Sequence, residues 1–313
     1  MSKRWMNTLR VLISAGALAF LFWKIGLGET LAVLRLADLR YFLAGFLLFV
    51  FSLVIRAYRW FVLLRGLDPT VPFGRLLRLY FVGAFFNAFL PTTYGGDVVR
   101  ALELTQDTGS SASIGTVLLD RMTGLIVLSV MGLIVLPFQA ARMEQWLVWL
   151  MLGVTGGILA GGALILEGRF LRRLTAWLPA GLSLAGQGPL ARIYAAVTGC
   201  GWRAVLSAFG VSVVFNLVNV LINWLCGQAV GAGIGLGYFF AVTPFLSVSG
   251  LIPSLGGWGV REAVSTAVFA PTGAGENVAA ALGMMLGGIT LAAGLVGGVL
   301  YGVEGLRGLR ARR

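Results

Sequence analysis

The sequence predicts an all-α polytopic membrane protein. About six full transmembrane helices and two broken or re-entrant helical elements form a pseudo-symmetric inverted repeat. Three observations predict this. Of the 313 residues 58% are hydrophobic and only 12% charged, with a mean hydropathy of +0.91, far outside the range of soluble domains. Six apolar runs are long enough to cross hydrocarbon. A glycine-arginine motif occurs twice, about half a chain apart.

A span needs roughly 20 apolar residues. The runs that meet this are Thr8 to Gly26, Tyr41 to Leu64, Ile114 to Phe138, Trp146 to Leu166, Ala204 to Val230 and Val278 to Val303. Lys3, Arg4 and Arg10 open the first run, Lys24 continues it, and no Ala-x-Ala cleavage pattern follows, so it is read as a retained span. Residues 79–101 and 238–270 are apolar but interrupted by their own helix breakers. Glu29 to Arg40 and Glu167 to Arg203 read as interfacial amphipathic connections. The expectation is a single integral membrane domain, with repeat halves at roughly 8–138 and 146–303.

Positive charge sets the orientation. Basic residues precede the first span, follow the second (Arg65, Arg75, Arg78), crowd the connection between the fourth and fifth (Arg169, Arg172, Arg173, Arg192, Arg203) and end the chain. The connections at 139–145, 231–237 and 271–277 hold one basic residue, Arg142. The positive-inside rule then places both termini in the cytoplasm, in a cell inner membrane. The interrupted segment near residue 90 must enter and leave on the cytoplasmic side, and the one near 255 on the outer side.

The first interruption, residues 81–103, reads FVGAFFNAFLPTTYGGDVVRALE. An apolar helix breaks at Pro91, turns through Thr92, Thr93, Tyr94, Gly95 and Gly96, and restarts with Asp97 and Arg100. The second, residues 252–263, reads IPSLGGWGVREA. Gly95-Gly96-x-x-Val99-Arg100 matches Gly256-Gly257-x-x-Val260-Arg261 at one offset, 256 − 95 = 161 residues. Inverted repeats carrying broken helices recur in secondary transporters, with the site where the halves meet.

A helix broken at membrane depth is tolerated only where protein buries it or a polar cavity lies beside it. The restarted helix then offers free N–H groups and a partial positive charge to an anion. Arg100 and Arg261 add a forked donor suited to phosphate. The expected substrate contacts are Asn87, Pro91, Thr92, Thr93, Gly95, Gly96, Asp97, Arg100, Asp120 and Arg121 in the first half, and Pro253, Ser254, Gly256, Gly257, Arg261 and Glu262 in the second. Asp97 is equally a helix cap, and Asp120 with Arg121 equally a self-compensating intramembrane pair or a source of partner pairs with other arginines. The plain alternative for each motif is a tight turn between two short helices, with the arginine snorkelling to the interface. Arg56 and Arg59 in RAYRW are read as head-group anchors, with substrate contact the minority reading. Asn216, Asn219 and Asn223 form one helix face and are read as interhelical hydrogen bonders, with a polar translocation path as the second reading.

There is no histidine, and Cys200 and Cys226 lie in or beside apolar segments. That leaves little for metal or imidazole chemistry and supports no disulfide framework. No cofactor is expected. The formal net charge of +12 sits between apolar segments, so it fits anionic head groups and not nucleic acid.

The segments FFNAFLPTTYGGDVVRA, LLDRMTGL at 118–125, RAYRW and IPSLGGWGVREA together resemble the transmembrane region of lysylphosphatidylglycerol synthases, a family with stand-alone integral membrane members. The resemblance runs from about residue 10 to 305. It implies a flippase module that moves a lipid between leaflets, and related members are associated with lipid-linked sugars and polyprenyl carriers. With neither an aminoacyl-transferase nor a glycosyltransferase domain before Arg313, it implies transport without synthesis.

The first reading is therefore a transporter of an anionic phospholipid or polyprenyl-phosphate-linked sugar lipid, and not an enzyme. The second is a non-transporting membrane partner of a lipid-modifying enzyme. The third is an enzyme acting on a membrane lipid, with Asp97 or Glu262 as base. Beyond the bilayer itself, the expected partners are an anionic lipid or lipid-linked glycan, a lipid-modifying enzyme, or a second copy of the chain.

Overall fold

The structure is a computed structural model and describes residues 27–90, 94–177, 183–184, 186–254 and 256–310. The expected first span, Thr8 to Gly26, and the site candidates Pro91, Thr92 and Thr93 lie outside those residues. The described chain is helical throughout: α1 (Leu27–Arg35), α2 (Leu39–Arg65), α3 (Phe73–Phe89), α4 (Gly95–Thr108), α5 (Ser110–Gln139), α6 (Gln145–Glu167), α7 (Arg169–Thr175), α8 (Pro189–Gly199), α9 (Trp202–Ala229), α10 (Leu236–Ser249), α11 (Val260–Phe269) and α12 (Glu276–Arg310). Short 3-10 turns close α5 and α11. Five of these helices, α2, α5, α6, α9 and α12, are long and apolar enough to cross a membrane. They coincide with the five expected spans that fall in the described chain.

The helix limits follow from local chemistry. Asp38 starts α2 by accepting a hydrogen bond from the Arg40 N–H at 2.8 Å, a helix-start side-chain acceptor. Pro72 immediately precedes α3, and α3 ends at Phe89, two residues before Pro91, where a proline cannot continue the hydrogen-bond ladder. Gly109, with φ 83°, separates α4 from α5. Gly168, with φ 65°, ends α6. Both conformations favour glycine because no Cβ is present to clash.

The 161-residue offset seen in the motifs extends to the helices. Added to α2, α3, α4 and α5, it lands on α9, α10, α11 and α12 within a few residues at most ends. Packing repeats in the same way. Helices α2 and α9 pack on each other, and α3 packs on α12 as its counterpart α10 packs on α5. The pair α2 and α9 is antiparallel. Asp38 N–H donates to the Ala229 carbonyl at 2.9 Å at one end, Arg59 Nη1 donates to Ser212 Oγ at 3.0 Å midway, and Gly66 lies against the Cys200 carbonyl at the other end. The halves are thus related by an approximate two-fold that reverses helix direction, as the paired motifs predict.

Between lipid-facing helices the hydrophobic effect offers little, since lipid tails are as apolar as leucine, so close backbone approach carries the packing. Glycine supplies it. A Cβ on Gly297 of α12 would meet the Phe81 carbonyl of α3 at 1.9 Å, and one on Gly96 of α4 would meet the Gly83 carbonyl of α3 at 1.9 Å. The second contact folds α4 back along α3 and sets the depth of the first break.

Candidate functional site

The two interruptions meet. Gly256 N–H in the second turn donates to the Leu90 carbonyl at the end of α3, at 3.3 Å, and a Cβ on Gly256 would strike the Ala88 carbonyl at 2.4 Å. Gly256, Gly257 and Gly259 have φ of 55°, 85° and 82°, so three glycines in four residues take a conformation that L side chains avoid. This turn lays the start of α11 beside the end of α3. Asp97, Arg100, Gly256 and Arg261 consequently line one cavity of about 200 Å³, with Arg56, Tyr80, Asn87, Arg121 and Thr290.

Behind that cavity lies a buried ionic network. Asp120, 0% exposed, accepts from Arg59 Nε at 2.7 Å, from Arg100 Nη2 at 2.9 Å and from the Tyr80 hydroxyl. Asp97 accepts from Arg100 Nε at 3.0 Å and from Arg121 Nε. Aromatic faces cover the cations: Arg100 lies 4.2 Å from the Tyr80 ring centroid and 4.8 Å from that of Trp60, and Arg121 lies 4.7 Å from that of Tyr94. Trp60 is held in turn by its indole N–H donating to Thr116 at 3.1 Å. Buried charges persist only when paired and hydrogen-bonded, and this network satisfies that condition for Arg59, Asp97 and Asp120.

It does not satisfy every cation. Arg56 contacts the rings of Phe49, Tyr80 and Phe215 at 5.6, 5.7 and 5.3 Å, and its buried Nε has no hydrogen-bond partner among the described residues. Arg100 Nη1 and Arg261 Nε and Nη2 are likewise buried without one. Arg261 sits 5.1 Å from the Trp258 ring and 3.4 Å from Glu262 Oε1. The other Glu262 oxygen accepts from the Gly259 N–H at 2.6 Å, capping α11. Arg56, Arg100 and Arg261 all line the 200 Å³ cavity.

Two further spaces adjoin it. One of about 220 Å³ shares Arg56, Tyr80 and Arg121 and is completed by Arg59, Tyr94, Asn216, Asn219 and Ser247. The other is apolar, about 500 Å³, and runs between α4 and α5 past Val98, Leu102, Leu118 and Met122 to Asp97 and Arg121.

Several expectations change here. Gly96 N–H, expected to face a phosphate, donates to Asn87 Oδ1 at 2.7 Å, so Asn87 acts on the turn. The N–H groups of Gly256 and Gly259 are also occupied. Asp97 serves the arginines, accepting from Arg100 and Arg121. Asp120 and Arg121 do not pair with each other: successive helix positions point about 100° apart, and each finds its partner on α2 or α4. Arg59, expected at the head groups, is 2% exposed, and Arg56 faces the interior cavities. Ser254, buried, donates to the Ile252 carbonyl at 3.4 Å, and Pro253 is not among the cavity-lining residues. Asn216 does bridge helices, donating to the Gly124 carbonyl at 3.0 Å, whereas Asn223 bonds within its own helix. Sequence reasoning missed Tyr80 as a site residue and gave Arg56 and Arg59 a substrate contact only as the minority reading. The signal available was the three-residue spacing of the two arginines, one helix face.

Comparison with known proteins places this arrangement. The family model described as the lysylphosphatidylglycerol synthase TM region matches residues 7–298. A UPF0104 membrane protein of Pyrococcus horikoshii is 28% identical over 156 residues, which is 48% of this chain and 46% of that relative. A UPF0104 membrane protein of Methanothermobacter thermautotrophicus is 25% identical over 309 residues, 87% of this chain and 86% of the relative. The match therefore spans about half of the first relative and most of the second. The chain belongs to the lysylphosphatidylglycerol synthase transmembrane-region family, and with it to membrane proteins of lipid-related role.

Proposed function

We propose that the protein carries an anionic phospholipid or polyprenyl-phosphate-linked sugar lipid between leaflets of the cell inner membrane, with no chemical change to the lipid. One observation carries this reading: guanidinium groups from both halves of the repeat line one cavity, and those of Arg56, Arg100 and Arg261 each keep a buried donor without a hydrogen-bond partner among the described residues. Arginine stays charged in any protein setting and its fork matches phosphate oxygens. A buried cation lacking an anion is the costly half of an ion pair, and a lipid phosphate completes it. The apolar groove beside Asp97 and Arg121 accommodates the hydrocarbon while the phosphate lies among the arginines.

Placement in the bilayer follows from length and charge. Helices α3 and α4, with 17 and 14 residues, extend roughly 25 and 21 Å at ~1.5 Å per residue, and α10 and α11, with 14 and 10 residues, roughly 21 and 15 Å. None spans a hydrocarbon core of about 30 Å, so each broken pair is re-entrant. With the termini cytoplasmic, the first pair enters from the cytoplasmic leaflet and the second from the outer one. The head group passes between the two polar spaces along their shared wall of Arg56, Tyr80 and Arg121 while the tails stay in lipid.

The test is reconstitution into liposomes with a leaflet-specific fluorescent phosphatidylglycerol, an anionic phospholipid. Wild-type protein accelerates exchange. Arg261→Gln slows it by about tenfold or more, since charge-assisted contacts contribute roughly 1.5–3 kcal/mol, while circular dichroism shows folded protein. Wild-type vesicles that exchange the reporter no faster than empty ones refute the reading.

A further inference from the structure

We infer that the head group this site takes is a compact, doubly charged phosphate monoester, with Arg56 as the residue that selects the second charge. The inference rests on the transport reading for its setting and on a charge count for its content.

Around the two polar spaces stand five guanidinium groups, those of Arg56, Arg59, Arg100, Arg121 and Arg261, against three carboxylates, those of Asp97, Asp120 and Glu262. The excess is two positive charges. Among the described side chains it is not offset elsewhere: of the 12 acidic residues in the chain, these three are the ones described as buried. Asp38 starts α2, Asp68 accepts from Thr70, and Glu103 and Asp107 pair with Arg75 at the surface. The stretches outside the described residues contain no aspartate or glutamate. Two excess cations at low dielectric are best neutralised by one group carrying two negative charges.

Size narrows the class. Each of the two polar spaces, of about 200 and 220 Å³, is below the usual 300–1,000 Å³ of small-molecule sites. Each holds a phosphate and little more, which disfavours a glycan. The sign of the excess opposes a head group bearing a lysyl ammonium. Arg56 is the group set aside for the extra charge. Unlike Arg59, Arg100 and Arg121 it has no carboxylate partner among the described residues, and it lines both spaces.

The experiment uses full-length protein in phosphatidylcholine nanodiscs doped with dioleoyl phosphatidic acid or dioleoyl phosphatidylglycerol, so that the tails are identical. Binding is read by native mass spectrometry and by the protein's intrinsic tryptophan fluorescence. At pH 8.5 phosphatidic acid binds roughly tenfold tighter than phosphatidylglycerol. The preference shrinks to within about threefold at pH 5, because the second phosphate ionisation lies near 6. Arg56→Gln brings the two lipids to within about twofold at pH 8.5, and Arg56→Lys restores the preference. Equal binding of both lipids at pH 8.5, or an Arg56→Gln that weakens both alike, overturns the inference. Inorganic phosphate that displaces phosphatidic acid at matched concentration also overturns it, as the site would then be one for free phosphate. Preferential binding without leaflet exchange sinks the transport reading alone, and exchange without preference sinks this inference alone.

Discussion

Substitution of Asp120 by asparagine tests the buried network most directly. Asp120 is fully buried and is the common acceptor of Arg59, Arg100 and Tyr80. Asparagine keeps the shape and one acceptor oxygen but removes the charge that two guanidiniums share. Breaking a buried pair by removing one partner destabilises by about 3–5 kcal/mol, because the remaining charge is left uncompensated. Here the excess of positive charge rises from two to three, so the upper part of that range is expected, about 4 kcal/mol. The assay is reversible unfolding in mixed micelles titrated with dodecyl sulfate, followed by circular dichroism. Asp107→Asn is the control: Asp107 bonds Arg75 at 3.1 Å with both side chains partly exposed, and such a pair contributes less than about 1 kcal/mol. The double variant Arg59→Gln/Asp120→Asn removes one stranded cation. It is expected to be more stable than the sum of its single changes by about 1–3 kcal/mol. Asp120→Asn within about 1 kcal/mol of wild type, or strict additivity in the double variant, refutes the argument that this network holds the helices together.

Three further outcomes are expected. Gly96→Ala drives a methyl into the Gly83 carbonyl at 1.9 Å and toward Asn87 Oδ1 at 2.8 Å, so thermal unfolding should show a loss of at least about 1–3 kcal/mol; Gly153→Ala, facing open space in α6, should be neutral or stabilising by up to about 1 kcal/mol. Glu262→Ala removes the acceptor of the Gly259 N–H and the carboxylate beside Arg261, and dodecyl sulfate titration should register a loss of about 2–3 kcal/mol, whereas Glu262→Gln should lose about half of that. Burial pushes the Cys200 thiol up to about 11, so at pH 8 the reactive thiolate is scarce in the folded protein, and maleimide labelling of Cys200 should follow the unfolding curve; rapid labelling of native protein would contradict the packing of α8 on α5.

The architecture was legible in the sequence because its punctuation is local. Proline, glycine and arginine mark where apolar helices stop, and the glycine-arginine spacing carries the repeat across the whole chain. The site was legible only as to where the halves meet. Arg59 reads as a head-group anchor because its aromatic neighbours in RAYRW favour that depth, and nothing nearby reveals a carboxylate 61 residues away that draws it inside. The use of Asn87 to occupy the Gly96 N–H depends on α4 folding back along α3, a tertiary fact. Side-chain partners in membrane interiors are chosen by depth and azimuth, neither of which is a short-range property.

The approximate two-fold also explains why the site is lopsided. Its two matched arginines have different surroundings: Arg100 is shared between Asp97 and Asp120 and lies over two aromatic rings, whereas Arg261 has one neighbouring carboxylate, and that carboxylate is engaged in capping its own helix. The position matching Asp97 is Trp258, one beyond the second glycine pair, so an indole stands where the first half has an acid. Adding 161 to Asp120 gives Ala281, again without an acid. The second half brings one arginine and one acid to the cavities, Arg261 and Glu262, whereas the first half brings Arg56, Arg59, Arg100 and Arg121 against Asp97 and Asp120, so the excess of two positive charges lies in the first half. Leu217, Val220 and Leu282 stand at the positions matching Arg56, Arg59 and Arg121, so the halves differ in their cations as well as in their acids. The attraction for an anion therefore comes mainly from one side of the cavity, and Arg261 faces it from the other with its own carboxylate engaged in capping.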